Sequence, residues 1–218
     1  MAVKVVAIAA AKGGSGKTTI VLSLAVRAMQ DGKHVALFDL NGDQGDLTKW
    51  WLMRRQPMNP RVLDVEDISR DVAALRASER CDWLFLDTPP LELDVIENAI
   101  MESDAVIIPC RPGFFDVDSV VPVVEIAKRR QKPYAFLLTA VDSKMPKVTD
   151  SAMSALVNDG PIMATRIRYL QPYIQSVVRG KSAAEIDKAC QTEMDHLWAE
   201  VQRLAADAKP SFTAVRGS

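Results

Sequence analysis

Histidine is nearly absent from this 218-residue chain, with two copies, and cysteine is scarce, with three. His34 and His196 stand alone, one before an apolar run and one in a late helical pattern, so neither has a metal or triad partner in view. Cys81, Cys110 and Cys190 are widely spaced and form no zinc-type pair; they suggest buried thiols in a reducing compartment. Neither sign of charge is in excess, since 27 Lys and Arg against 28 Asp and Glu leave −1. No global field therefore pulls the chain toward nucleic acid or anionic lipid, and such binding needs a local basic patch. No run reaches the roughly 18 apolar residues of a membrane span. The apolar stretch 1–11 has no basic leader and enters a glycine loop, so it reads as a strand rather than a signal peptide, and the cytoplasm is the expected location. Repeats, linkers and low-complexity tracts are also missing. One domain over 1–208 is expected, with a frayed polar tail over 209–218.

What is present is a 48% hydrophobic, 25% charged composition with ample material for a core, arranged in alternation. "VKVVAIAAA" is a short β-branched apolar run, the mark of a buried parallel strand. "KTTIVLSLAVRAMQDG" has helical spacing and a stop at Gly32, and "KHVALFDL" is a second strand. Helices are predicted over 64–79, 91–102, 116–131, 148–160 and 183–206. Strands are predicted in "CDWLFLDTPP", "DAVIIPCRP" and "PYAFLLTAV", with a last short candidate in "PIMATRIRY". Strands separated by helices imply an α/β fold with a mainly parallel sheet covered on both faces.

Between the first strand and its helix lies "AKGGSGKTT". The phosphate-loop pattern G-x-x-x-x-G-K-[ST] is met except at its first glycine, where Ala11 stands. Glycines let the backbone N–H groups of Gly13, Gly14, Ser15, Gly16, Lys17, Thr18 and Thr19 converge on phosphate oxygens at a helix N-terminus. Lys17 suits the β- and γ-phosphates of ATP, and the Thr18 hydroxyl suits Mg2+. Asp87, at the carboxyl end of "WLFLD", supplies a metal-side carboxylate where open α/β sheets collect ligands. Asp39 ends its own strand in the same way.

With "KGGSGKTT", "FDL" followed by "DQGDLTKWW", and "LFLDTPP", the sequence resembles the ParA/MinD group of deviant-Walker P-loop ATPases, with short ParA proteins nearest in kind. The resemblance extends through "VIIPCRP" to "TRIRYLQPY" and so spans nearly the whole chain. It implies a slow ATPase that forms an ATP-sandwich homodimer, in which Lys12 reaches the partner's phosphates and supplies positive charge in trans. It also implies nonspecific nucleoid DNA as a platform, an activating partner of the ParB or adaptor type, and a positioned cargo. The group usually reads D-x-D-P-Q after its second strand. This chain is one residue longer there, Asp39-Leu40-Asn41-Gly42-Asp43-Gln44, and lacks the proline. Either Asn41 replaces the water-positioning carboxylate or Asp43 takes its place, and the Asn-Gly turn favours Asp43. Members of the group hold DNA through basic residues near the C-terminus, which assigns Arg166, Arg168, Arg179 and Lys181.

Other features carry plainer readings. Trp50 and Trp51 suit a core or a subunit contact, Arg54 and Arg55 a solvated helix end, and Phe114 and Phe115 apolar packing. Lys128, Arg129, Arg130 and Lys132 follow a helix whose C-terminal dipole they suit. A MinD-like membrane switch needs a terminal amphipathic helix, but "EVQRLAADAKPSFTAVRGS" has few large apolar residues and a proline. An iron–sulfur dimer of the nitrogenase type needs two suitably placed cysteines, and only Cys110 qualifies. A dethiobiotin-synthetase-like ligase lacks the extra lysine.

Overall fold

The computed structural model describes residues 2–42 and 45–206. Along the chain run β1 (Lys4–Ile8), α1 (Lys17–Gln30), β2 (Val35–Asp39), α2 (Asp46–Met53), β3 (Arg61–Leu63), α3 (Ile68–Ser78), β4 (Trp83–Asp87) and α4 (Leu93–Glu102). They are followed by β5 (Ala105–Cys110), α5 (Phe114–Asp118), α6 (Val121–Arg129), β6 (Tyr134–Leu138), α7 (Pro146–Leu156), α8 (Gln171–Gln175) and α9 (Lys188–Ala206). The strands form one sheet in the order β3-β2-β4-β1-β5-β6, with every pair parallel. That is the expected α/β architecture.

Alternation along the strands divides the core. Val6, Ile8, Leu37, Phe85 and Ile107 face α1, α2 and α9, together with Leu24, Trp50, Leu197 and Trp198. Val106, Ile108, Phe136 and Leu138 pack with Ile96, Val123 and Leu156 from α4, α6 and α7. Val5, Ala7, Phe38 and Leu84 join Val72 of α3 and Ala99 of α4. Both faces are covered, so each buried aliphatic side chain contributes about 1.5–3 kcal/mol of transfer free energy. Local signals set the helix ends. Gly32 closes α1 at φ 75°, its N–H donating to the Met29 carbonyl at 3.0 Å, and the Asp67 carboxylate caps α3 by accepting from the Arg70 N–H at 2.8 Å.

Four expectations change. "PIMATRIRY" makes only isolated bridges, Phe136 to Ile162 and Val141 to Arg168, beside β6. Its ladder is interrupted because the Glu200 carboxylate accepts the N–H groups of Ala164 and Thr165 at 2.7 and 2.9 Å. The single helix predicted over 116–131 is two, α5 and α6, because Pro122 has no N–H to continue a ladder from α5. The closing helix starts at Lys188 after a short 3-10 turn over Ala183–Glu185, with Asp187 accepting from the Cys190 N–H at 2.9 Å. The three-residue β3 and short α8 were too brief to give a periodic signal.

The fourth change concerns Arg54, which is not solvated. Its guanidinium donates to both Glu185 oxygens, at 2.9 and 3.0 Å, and to the Gly180 carbonyl at 2.9 Å. It also lies 5.6 Å from the ring centre of Trp50, which is fully buried and donates its indole N–H to the Lys181 carbonyl. This knot ties α2, behind the phosphate loop, to the segment before α9. Burial pushes the Glu185 carboxyl up, but the Arg54 fork and the Ser182 N–H outweigh it and hold it below 4.5. The pair therefore contributes fully above that value and loses its contribution as pH falls through the lowered one. Arg54→Ala is expected to cost about 2 kcal/mol in urea unfolding at pH 7, from the loss of charged hydrogen bonds and an uncompensated carboxylate. The difference from wild type should shrink below about pH 4; a difference unchanged there would mean that packing on Trp50, not charge, carries the effect.

Candidate functional site

The site begins where β1 ends. The chain turns through residues 9–16 and enters α1 at Gly16, whose φ of 97° and ψ of 13° lie in the left-handed region that favours glycine. Gly14 is also left-handed, at φ 73°. The first helical bond runs from the Ile20 N–H to the Gly16 carbonyl at 2.9 Å. The N–H groups of Lys17, Thr18 and Thr19 are thus left at the helix mouth as donors for an anion. The loop is pinned from β6, where the Thr139 hydroxyl donates to the Ser15 carbonyl at 2.8 Å. Lys17 is buried, and its ammonium donates back to the Ala10 and Lys12 carbonyls at 3.2 and 3.4 Å. Burial lowers its pKa, against the pull of Asp87.

Beneath the loop lies Asp87. It is wholly inaccessible, and its Oδ2 accepts the Thr18 hydroxyl at 2.7 Å while its Oδ1 has no hydrogen-bond partner. Burial pushes its carboxyl up to about 7, opposed by the Thr18 bond and reinforced by Asp39. An orphaned carboxylate oxygen beside a hydroxyl is a hard, all-oxygen donor set, which fits Mg2+. Asp39 lies opposite Asp87 in the strand register. Its Oδ2 accepts the Thr48 N–H and hydroxyl at 2.8 and 2.9 Å, and its Oδ1 accepts both N–H groups of Asn41, at 3.3 and 3.4 Å. In this arrangement Asp39 fixes Asn41 and the first turn of α2. Asp43 lies outside the described residues.

Two cavities meet at the loop. One, of about 310 Å³, is lined by the phosphate loop with Asn41, Asp46, Pro90 and Arg111. The other, of about 130 Å³, opens between the loop and Thr139, Ile167, Leu170 and Tyr173, with Arg111 and Arg168 at its wall. The first has the groups for phosphates and a cation. The second is largely apolar and suits a flat base. Lys12 lines neither cavity: its ammonium is 2.7 Å from a carboxylate oxygen of Asp116, on α5.

All four residues expected to hold DNA, Arg166, Arg168, Arg179 and Lys181, are exposed. Arg166 donates to the Met153 sulfur at 3.0 Å. Arg168 also lines the base-side cavity and pairs with Glu193, which accepts the Tyr173 hydroxyl at 2.7 Å. Phe114 and Phe115 are not packed as expected. Each is 76% exposed, and they stack edge-on against each other beside Asp116. Sequence reasoning missed Asp116, Arg111 and Thr139. Arg111 and Thr139 directly follow strand ends, where α/β ligands gather, which alone could have marked them; Asp116, in α5, carries no such signal.

A glycine loop between the central strand and its helix, with Lys17, Thr18 and Asp87 beneath it, defines a phosphate-loop nucleotide-binding protein. The chain belongs to the CobQ/CobB/MinD/ParA nucleotide binding domain family, which residues 6–183 match. It is 26% identical to the maintenance of carboxysome distribution protein A of Halothiobacillus neapolitanus over 214 residues, covering 94% of this chain and 96% of the relative. In fold it is similar to the MinD cell division protein of Aquifex aeolicus, at TM-score 0.76 and 18% identity over 95% of this chain and 99% of the other. The septum site-determining protein MinD of Pyrococcus horikoshii, complexed with Mg-ADP, gives TM-score 0.72 at 18% identity over 95% and 99%. The ParA/MinD resemblance and the expected fold are thus borne out.

Thr18→Val keeps the side-chain shape and removes the hydroxyl from Asp87. ADP binding without magnesium should stay near wild type, while the strengthening on adding Mg2+ should fall by about tenfold or more, about 1.4 kcal/mol. Calorimetric titration of ADP with and without Mg2+ decides; an intact magnesium effect would remove Thr18 from the ligand set.

Proposed function

We propose that this protein is a ParA-type ATPase that closes into a dimer around two ATP molecules, binds nonspecific DNA in that state and positions a cargo. A partner protein stimulates hydrolysis and resets it. The observation that carries this reading is the placement of Lys12. The loop supplies one lysine, Lys17, directed inward, and a second that its own chain holds away from both cavities. A second subunit can receive what the first does not use. Two facing triphosphates need that charge, so ATP occupancy and dimer closure become one event.

Within a subunit the proposed roles are these. Backbone N–H groups at the head of α1 and the Lys17 ammonium bind the phosphates, and the base enters the cavity beside Thr139 and Tyr173. Bound Mg2+, held by Thr18 and Asp87 with Asp39 nearby, would neutralise phosphate charge. Asp87, its carboxyl pushed up by burial, would ionise more readily once a cation arrives. Asp43 is the residue proposed to position the attacking water, with Asn41 as the alternative on the wall of the phosphate cavity. Arg166, Arg179 and Lys181 supply exposed positive charge for DNA phosphates, with Arg168 more restricted by Glu193. The carboxysome-distribution relative supports a protein compartment as one kind of cargo. Among the described residues, no helix is long and apolar enough to cross a membrane.

The test is retention on DNA at low salt with ATP and Mg2+, read beside oligomeric state by light scattering. Wild type should dimerise with ATP and stay on DNA. Lys12→Ala should remain monomeric with ATP and leave it, whereas Asp43→Ala should hydrolyse at least about tenfold more slowly and stay bound as a dimer. Normal hydrolysis by Asp43→Ala would transfer the water-positioning role to Asn41. Wild type that ignores DNA yet sediments with anionic vesicles would replace this reading with a membrane switch.

A further inference from the structure

We infer that Arg111 is a nucleotide-binding residue of this chain, a cation that grips the phosphate chain in cis where the two cavities join. The inference rests on the nucleotide-binding reading above and extends it to a residue for which neither the loop pattern nor the strand-end carboxylates give a role.

Arg111 directly follows β5, and β5 pairs with β1, so its Cα is carried to the flank of the phosphate loop. Its Nη2 lies 3.8 Å from where a Cβ on Gly14 would stand. The residues common to both cavities are Gly14, Gly16, Thr19 and Arg111. Any ligand with its phosphates on the loop and its base against Tyr173 and Leu170 must cross that junction, and Arg111 is the charged group there.

The partners of the neighbouring cations strengthen the assignment. Lys17 donates to two loop carbonyls, Lys12 is paired with Asp116, and Arg168 is paired with Glu193. Arg111 is exposed, and among the described residues its guanidinium makes neither an ion pair nor a hydrogen bond. A phosphate chain therefore meets a cation that, among the described residues, has no bond to break. The planar fork of N–H donors matches two phosphate oxygens at once, which a lysine at the same place cannot do. Because the contact lies within one subunit, it acts on ADP and ATP alike and precedes any contribution from a partner's Lys12.

The experiment is calorimetric titration of ADP and ATP, with Mg2+, into wild type, Arg111→Ala, Arg111→Lys and Lys17→Ala, together with a melting curve of each nucleotide-free protein. Arg111→Ala should bind ADP and ATP about 10–100-fold more weakly, the loss of one charge-assisted contact. Arg111→Lys should regain only part of that loss. Melting without nucleotide should match wild type, since among the described residues the side chain makes no ion pair or hydrogen bond. If wild type binds ADP, Lys17→Ala abolishes it and Arg111→Ala binds within about twofold of wild type, the role of Arg111 is overturned and the site stands. If wild type binds neither nucleotide, the reading of the site falls and Arg111 falls with it.

Discussion

The register of β1 between β4 and β5 is the constraint on which the site depends. Ile8, the last residue of β1, stands opposite Asp87 on one side and Ile107 on the other, and Asp87 in turn stands opposite Asp39. The phosphate loop leaves β1 at the level where β4 ends in its carboxylate, and β5 extends past it to Arg111. A slip of one residue would turn Asp87 to the opposite face and put an apolar side chain under Thr18. The alternating burial of Val5 and Ala7 on one face, against Val6 and Ile8 on the other, opposes that slip. Core packing thereby sets the chemistry at the sheet edge.

Around this edge the cations are sorted by what each already holds. Lys17 is buried among loop carbonyls, Lys12 is held by an aspartate outside the cavities, and Arg111 stands open at their junction. A buried ammonium is costly unless an anion joins it, so the loop favours phosphate over water even before Mg2+. The Lys12–Asp116 pair is half exposed on the lysine side, where ion pairs contribute up to about 1 kcal/mol. A contact of that size is weak enough to exchange for a phosphate and strong enough to give the free chain one preferred arrangement.

The loop and Asp87 were legible in the sequence because their meaning is local: glycines, lysine and hydroxyl fall at fixed spacing between a strand and a helix, and a carboxylate ends an apolar run. What was not legible depends on contacts far along the chain. Arg54 looked solvated because Glu185 and Gly180, which enclose it, come more than a hundred residues later. The candidate strand at 161–169 has the right alternation, with Met163, Thr165 and Ile167 buried, but Glu200 of α9 takes the N–H groups its ladder needs. Phe114 and Phe115 read as core by residue type, yet α5 is five residues long and buries none of its side chains. Asp116 could not be linked to Lys12 without the fold, since nothing in their spacing connects them.

Two unsatisfied polar atoms sit at the phosphate loop. Among the described residues, Asp87 Oδ1 and Ser15 Oγ, in or beneath the phosphate loop, are buried without a hydrogen bond, as are hydroxyls elsewhere in the fold such as those of Ser23, Thr149 and Ser176. Each such group costs about 1–3 kcal/mol, and at the loop a cation or a phosphate can supply the missing partner. Asp87 adds a charge that burial resists, as its rise to about 7 records. The same features are favourable once a cation and phosphates supply the missing partners. The stored cost in the free protein then becomes binding energy in the loaded one, because the donors and acceptors need no further ordering when the ligand arrives. The loop thus keeps open donors and acceptors at the strand ends, where the sheet register sets Asp87 beneath Thr18.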